Sequence, residues 1–138
     1  MNVIENITQK YPKIVEKMCS AAIFAGVEIM RVYSENDFCV EIKDDNSPIT
    51  LADRLADNAI IKFLKLNFPD IPIVSEESHR NFKSGMEKIY FLVDPLDGTK
   101  EFIKKTGEFT VNIGLIMNAK AELGVVYVPV TGELYYRD

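Results

Sequence analysis

Two stretches of this chain, Ile89-Tyr90-Phe91-Leu92-Val93 and Val125-Val126-Tyr127-Val128, are apolar at successive positions. A strand with one wet face alternates apolar and polar residues, so strands that are apolar throughout ask for cover on both sides. Ile71–Val74, Phe109–Met117, Glu122–Val128 and Glu133–Tyr136 read as further strands, and Phe38–Ile42 as a short one. Two long helices accompany them. Tyr11–Val32 carries Ile14, Met18, Ala21, Ala22, Ala25, Ile29 and Val32 at helical spacing, with Pro12 in its first turn and Thr8 as a candidate cap. Thr50 opens the second, which runs to about Phe68, with Leu51, Leu55, Ile60, Phe63 and Leu64 on its buried face before Pro69-Asp70 stops it. The expected class is α+β: an antiparallel sheet covered on one face by two long helices. No third long helix is left for the other face, so either a partner covers it or more chain belongs after Asp138. An exposed apolar face is uncommon on a monomer and points to self-association.

The remaining segments are connections. Lys43–Pro48 is a polar loop, and His79–Glu87 a surface connection whose lone histidine, His79, reads as surface decoration. With 138 residues the chain fits one domain. A net charge of −5 argues against a partner of duplex nucleic acid, which is met by a basic face. It does not exclude a small anionic substrate, because bound metal reverses the local potential. Cys19 and Cys39 form neither a CxxC pair nor a cluster with histidines, and read as free thiols of a reducing compartment. The longest apolar stretch, Ala21–Val27, falls far below the roughly 20 residues that cross a bilayer. A cytoplasmic protein is expected, with peripheral membrane association left open.

The chemistry concentrates in three places. Asp94-Pro95-Leu96-Asp97-Gly98-Thr99 follows directly on Ile89–Val93, delivering two carboxylates and a hydroxyl to what reads as one sharp turn stiffened by Pro95. Hard divalent cations prefer such oxygen donors, and the Leu96 carbonyl is a further candidate. Gly98–Ile103 reads as the opening of a short helix whose free amides would seat a phosphate. The bland alternative is that Asp97 caps this helix and Asp94 sits in an Asx turn. Ser75-Glu76-Glu77-Ser78 follows Ile71–Val74, and is a solvated turn unless its strand lies beside Ile89–Val93 and brings Glu76 to Asp94. Thr50 and Asp53 stand in the relation of a capping box, which by itself explains Asp53. The functional alternative has Asp53 accept a hydrogen bond from the Thr99 hydroxyl, aligning a nucleophilic water.

Taken in order, Lys43…Ser47-Pro48-Ile49-Thr50-x-Ala52-Asp53, Ser75-Glu76-Glu77 and Asp94–Thr99 resemble the Mg²⁺-dependent, lithium-sensitive phosphatase superfamily of inositol monophosphatase. Lys100-Glu101-Phe102-Ile103 and Gly107–Ile113 resemble its bacterial 3′(2′),5′-bisphosphate nucleotidase branch, the CysQ type. The resemblance implies removal of the 3′-phosphate of adenosine 3′,5′-bisphosphate, giving AMP and phosphate, in support of sulfur assimilation. It implies two or more Mg²⁺ ions held by Glu76, Asp94, the Leu96 carbonyl and Asp97. It implies Asp53, Thr99 and Glu76 as catalytic residues, and Glu76, Leu96, Asp97, Gly98 and Thr99 as substrate contacts. It further implies that residues 1–138 are the N-terminal metal-binding domain of a layered αβαβα fold. The C-terminal α/β domain, whose metal-binding aspartate follows a tryptophan, is then absent, and this chain has no tryptophan.

Other readings compete with this one. Haloacid-dehalogenase-type phosphatases place a second Asp two residues after a nucleophilic Asp, whereas Asp94 and Asp97 stand three apart with Leu96 in the critical place. Inositol monophosphate or fructose 1,6-bisphosphate are alternative substrates within the superfamily. A truncated, non-catalytic domain acting only by association is the non-enzymatic reading.

Overall fold

The computed structural model describes residues 3–35, 37–77 and 88–137, with side chains described from residue 6. The proposed connection at His79–Glu87, and His79 itself, lie outside the described residues. In chain order the elements are α1 (Val3–Lys10), α2 (Ile14–Tyr33), β1 (Glu41–Ile42), β2 (Pro48–Ile49), α3 (Leu51–Asn67), β3 (Ile73–Ser75), β4 (Ile89–Asp97), α4 (Thr99–Ile103), β5 (Thr110–Met117), β6 (Lys120–Val128) and β7 (Glu133–Arg137).

The first helix differs from expectation. Thr8 lies inside α1, and α2 begins only at Ile14, after Lys13, whose side chain makes no capping bond. Pro12 sits in the break because its ring disfavours helical geometry at Tyr11, so the chain turns there before restarting. All seven expected inward positions of α2, Ile14 through Val32, are buried. Of the strand expected over Phe38–Ile42 only Glu41–Ile42 forms, paired with Pro48–Ile49 in a two-stranded ribbon. Phe38 is instead drawn into the core, its ring 4.7 Å from that of Phe102. The Lys43–Ser47 loop between them closes through the Lys43 N–H on the Ser47 carbonyl at 2.8 Å, and Pro48 belongs to β2 rather than to the loop.

The five main strands form one sheet in the order β3-β4-β5-β6-β7. Every pair is antiparallel except β3–β4, which runs parallel with Ser75 opposite Val93. A parallel pair brings both C-terminal ends to the same edge, and this single departure from the antiparallel expectation sets Glu76 beside the end of the apolar run. Helices α2 and α3 pack on each other and on one sheet face, α2 over β5 and β6, α3 over β4. Met18, Ile29, Phe91 and Leu115 are wholly buried between these layers, each contributing about 1.5–3 kcal/mol.

The opposite face is uncovered among the described residues. Leu92 is 43% exposed and Tyr135 57%. Cross-strand register places Leu92 beside Gly114 and Gly114 beside Gly124, so the middle of this face lacks side chains. A shallow concavity of 540 Å³ results, reaching from Glu76 and Asp94 at one edge to Tyr135 and Arg137 at the other. Among the described residues no helix is long and apolar enough to cross a membrane.

Candidate functional site

Alternation along β4 explains how two aspartates three residues apart come to share a face. Phe91 and Val93 point into the core, so Asp94 points away from it. Two residues of β4, Pro95 and Leu96, then oppose one of β5, Val111: Asp94 pairs with Asn112 and Asp97 with Thr110, a β-bulge. The extra residue shifts the phase of the pleat, so that Leu96 is buried in the core and Asp97 emerges exposed on the side of Asp94. The segment read from sequence as a sharp turn is therefore a bulged continuation of the strand. Pro95, which has no N–H to donate to the ladder, fits that irregularity.

Gly98 then reverses the chain. It sits at φ +100°, and a Cβ there would meet the Glu108 carbonyl oxygen at 2.8 Å and the Phe109 Cα at 3.2 Å. Only glycine meets both demands. α4 begins at the next residue and is pinned by Phe102, fully buried against the rings of Tyr33, Phe38 and Phe109. Thr99 is thereby aimed at α3. Its hydroxyl donates to Oδ1 of Asp53 at 2.9 Å and makes a longer contact, 3.4 Å, with the Leu96 carbonyl.

Asp53 makes the capping bonds and the bond to Thr99 at the same time. Its Oδ2 accepts from the Thr50 N–H at 2.7 Å and from the Thr50 hydroxyl at 2.6 Å, while its own N–H faces Thr50 Oγ1 at 3.4 Å, completing the capping box. Oδ1 is left for Thr99. The residue is fully buried, and that burial raises its pKa against the opposing pull of the Thr50 and Thr99 hydrogen bonds.

Glu76 follows β3 directly, its N–H donating to the Val93 carbonyl at 3.1 Å, and its side chain is exposed next to Asp94. Asp94 feels the crowding. Burial first, then Glu76, Asp97 and Glu77, push its pKa up to about 7, with a hydrogen bond from the Leu96 backbone pulling the other way. Four hard oxygen donors whose charges oppose one another are chemically suited to a hard divalent cation. Their side chains stand near each other without closing on one point: among the described residues, no three His, Cys, Asp or Glu side chains gather as a metal-holding group.

Three residues to which the sequence reading assigned no role also line this region. Glu77 is half-buried and pairs with Lys43 at 3.3 Å, and burial raises its pKa against the opposing pull of Lys43. Asp57 lies one helical turn beyond Asp53, on the buried stripe Ala52, Asp53, Ala56, Asp57, Ile60 and Leu64. Leu51, Leu55 and Phe63, expected on that stripe, only flank it. The i, i+4 spacing of the two aspartates was the available signal. Lys43, Asp57, Glu76 and Glu77 line a 730 Å³ cavity beneath the β1–β2 ribbon, and Glu76 borders the sheet-face concavity as well.

A sequence model of the inositol monophosphatase family matches residues 11–137. The chain is 47% identical over 137 residues to the 3′(2′),5′-bisphosphate nucleotidase CysQ of Buchnera aphidicola subsp. Acyrthosiphon pisum, covering 98% of this chain and 52% of that protein. It is 47% identical over 125 residues to the protein of the same name from Salmonella typhimurium, covering 89% and 51%. Among solved structures, CysQ from Bacteroides thetaiotaomicron, a bacterial member of the inositol monophosphatase family, superposes with a TM-score of 0.73 at 42% identity over 92% of this chain and 46% of its own. The extragenic suppressor protein SuhB from Bartonella henselae superposes with a TM-score of 0.79 at 29% identity over 91% and 48%. The chain spans about half the length of the curated relatives it matches. With residues 11–137 of its 138 matched, the chain belongs to the inositol monophosphatase family.

Proposed function

We propose that this chain is the metal-binding part of a 3′(2′),5′-bisphosphate nucleotidase, a phosphatase that cleaves the 3′-phosphate of adenosine 3′,5′-bisphosphate with water to give AMP and phosphate. The observation that carries the reading is the Thr99–Asp53 hydrogen bond at 2.9 Å, formed beside the acidic edge made by Glu76, Asp94 and Asp97. Support for the substrate comes from identity: 47% to proteins bearing that name, against 29% to SuhB. Glu76, Asp94, the Leu96 carbonyl and Asp97 would hold two or more Mg²⁺ ions. Such ions, when bound, neutralise the cluster and polarise the phosphoryl group as Lewis acids.

The protein's own part is orientation. With its hydrogen bond donated to Asp53 Oδ1, Thr99 Oγ1 can accept a hydrogen bond from the attacking water and aim that oxygen at phosphorus, the water's proton passing to Thr99 as the Thr99 proton passes to Asp53. The Gly98 and Thr99 amides, at the start of α4, would meet the phosphoryl oxygens. Glu76, Leu96 and Asp97 complete the substrate edge. On this reading residues 1–138 are the N-terminal domain of a layered fold whose second α/β half supplies the nucleoside pocket and covers the open sheet face. The protein would work in the cytoplasm in sulfur metabolism, with Cys19 and Cys39 as thiols. A second, non-catalytic reading, association through the open face, is favoured by the exposure of Leu92 and Tyr135.

The test is phosphate release from adenosine 3′,5′-bisphosphate with Mg²⁺, by this chain and by a chain continued past Asp138 with the corresponding residues of a full-length relative. Turnover by the continued chain, lost in Asp97→Asn, is the expected result. A folded continued chain that releases no phosphate would contradict the reading.

A further inference from the structure

Asp53 and Asp57 stand one turn apart on the buried stripe of α3, so their side chains leave the helix in the same direction. Each receives a hydroxyl from the end of a different strand. Thr99, just past β4, donates to Asp53 Oδ1, and Ser75, the last residue of β3, donates to Asp57 Oδ1. Ser75 Oγ in turn accepts from the Glu77 N–H at 3.3 Å. Asp57 is 4% exposed and Ser75 1%.

A buried carboxylate needs a reason to be there. Helix capping supplies one for Asp53 but not for Asp57, which lies beyond the first turn of α3. No ion pair to Asp57 forms among the described residues. Its hydrogen bond instead reaches across 18 residues of chain to the point where β3 gives way to the acidic turn. Pairing of β3 with β4 ends at Ser75, and beyond it, among the described residues, the Glu76 N–H on the Val93 carbonyl ties the turn to β4. Glu76 and Glu77 both push up the pKa of Asp94, so like charges crowd where this turn meets β4.

The geometry points to Asp57 as a positioning residue: through Ser75 it holds the Glu76-Glu77 turn against the end of β4, as Asp53 holds Thr99. One face of α3 would then set both sides of the site, with two carboxylate–hydroxyl bonds one turn apart. The consequence for metal rests on the proposed role of Glu76 as a ligand. Groups that orient ligands without touching the ion change metal affinity by about 10–100-fold when removed.

Two readouts on this chain test it. The first is hydrogen exchange of the Glu77 amide by NMR, with the Val111 and Leu115 amides of β5 as internal controls. The second is Mn²⁺ affinity, from the electron paramagnetic resonance signal of the free ion. Asp57→Ala and Ser75→Ala are expected to speed Glu77 exchange about tenfold while leaving β5 unchanged, and to weaken Mn²⁺ binding about tenfold. Asp57→Asn keeps an oxygen that can accept from Ser75, and is expected to restore both. Should Asp57→Ala not fold, Asp57→Leu, which fills the same space without an acceptor and leaves the Ser75 hydroxyl that Glu77 meets, decides. Unchanged Glu77 exchange in the alanine variants would overturn the inference, as would an Asp57→Asn variant that behaves like Asp57→Ala. If exchange responds as expected but the native chain binds no Mn²⁺, the positioning role stands and the reading of Glu76 as a ligand falls.

Discussion

The Thr99 hydroxyl donates to Oδ1 of Asp53 at 2.9 Å, joining the start of α4 to the start of α3 across 46 residues of chain. Because Oδ2 of the same carboxylate closes the capping box on Thr50, one buried side chain both starts a helix and aims a hydroxyl. In a chain continued past Asp138, Thr99→Val should lower kcat about 100-fold or more, with Thr99→Ser retaining most of it, since serine keeps the hydroxyl. Steady-state phosphate release checks both. Equal activity in Thr99→Val and the native sequence would remove Thr99 from the reaction.

Asp53→Ala should cost stability as well as activity, because the cap is lost together with the bond to Thr99. About 1–2 kcal/mol is expected from the cap, read as a lower urea midpoint at unchanged slope. Thr99→Val, which leaves the cap intact, should shift the midpoint less. That contrast separates the two duties of Asp53.

Gly98→Ala should destabilise the chain by about 2–3 kcal/mol, from strained backbone at positive φ and the clash with the Glu108 carbonyl. Thermal unfolding followed by circular dichroism measures it. Gly124→Ala is the control, since a Cβ there meets nothing within 4 Å.

Metal-free stability should fall as pH rises. Asp94 titrates at about 7 in the folded chain and near 4 when unfolded, so between those values the folded state binds more protons. Stability attached to this group is therefore present below about pH 4 and lost as pH climbs through about 7. The effect is on the order of 1–2 kcal/mol once partial solvent exposure is allowed for. Urea unfolding at about pH 5 and about pH 7.5, in chelator, should show a drop that Asp94→Asn reduces. An identical drop in Asp94→Asn would contradict the crowding of carboxylates around Asp94.

How much of this was legible in sequence differs by element. The inward face of α2 could be read but for Gly26, which is buried there too, because seven apolar residues at one spacing admit one helix face. The buried face of α3 could not, because two of its members are aspartates, whose burial depends on Thr50, Thr99 and Ser75 arriving from elsewhere. Asp94–Asp97 was legible as a chemical unit but not in shape. A bulge is defined by what the neighbouring strand does, and β5 lies beyond the motif. The placing of Glu76 beside Asp94 depended in the same way on β3 running parallel to β4, which periodicity does not encode.

The open sheet face should govern association. Leu92→Asp changes an exposed side chain, so the fold should persist while any dimer seen by light scattering dissociates. A native chain that stays monomeric at high concentration would count against self-association through this face.

If the acidic strand ends hold divalent cations as proposed, calorimetric titration of this chain with Mg²⁺ at neutral pH shows it most directly. Saturable binding is predicted in the native sequence, weakened about tenfold or more in both Asp94→Asn and Asp97→Asn. Binding that is absent from the folded native chain, or unaltered in the two variants, would contradict it.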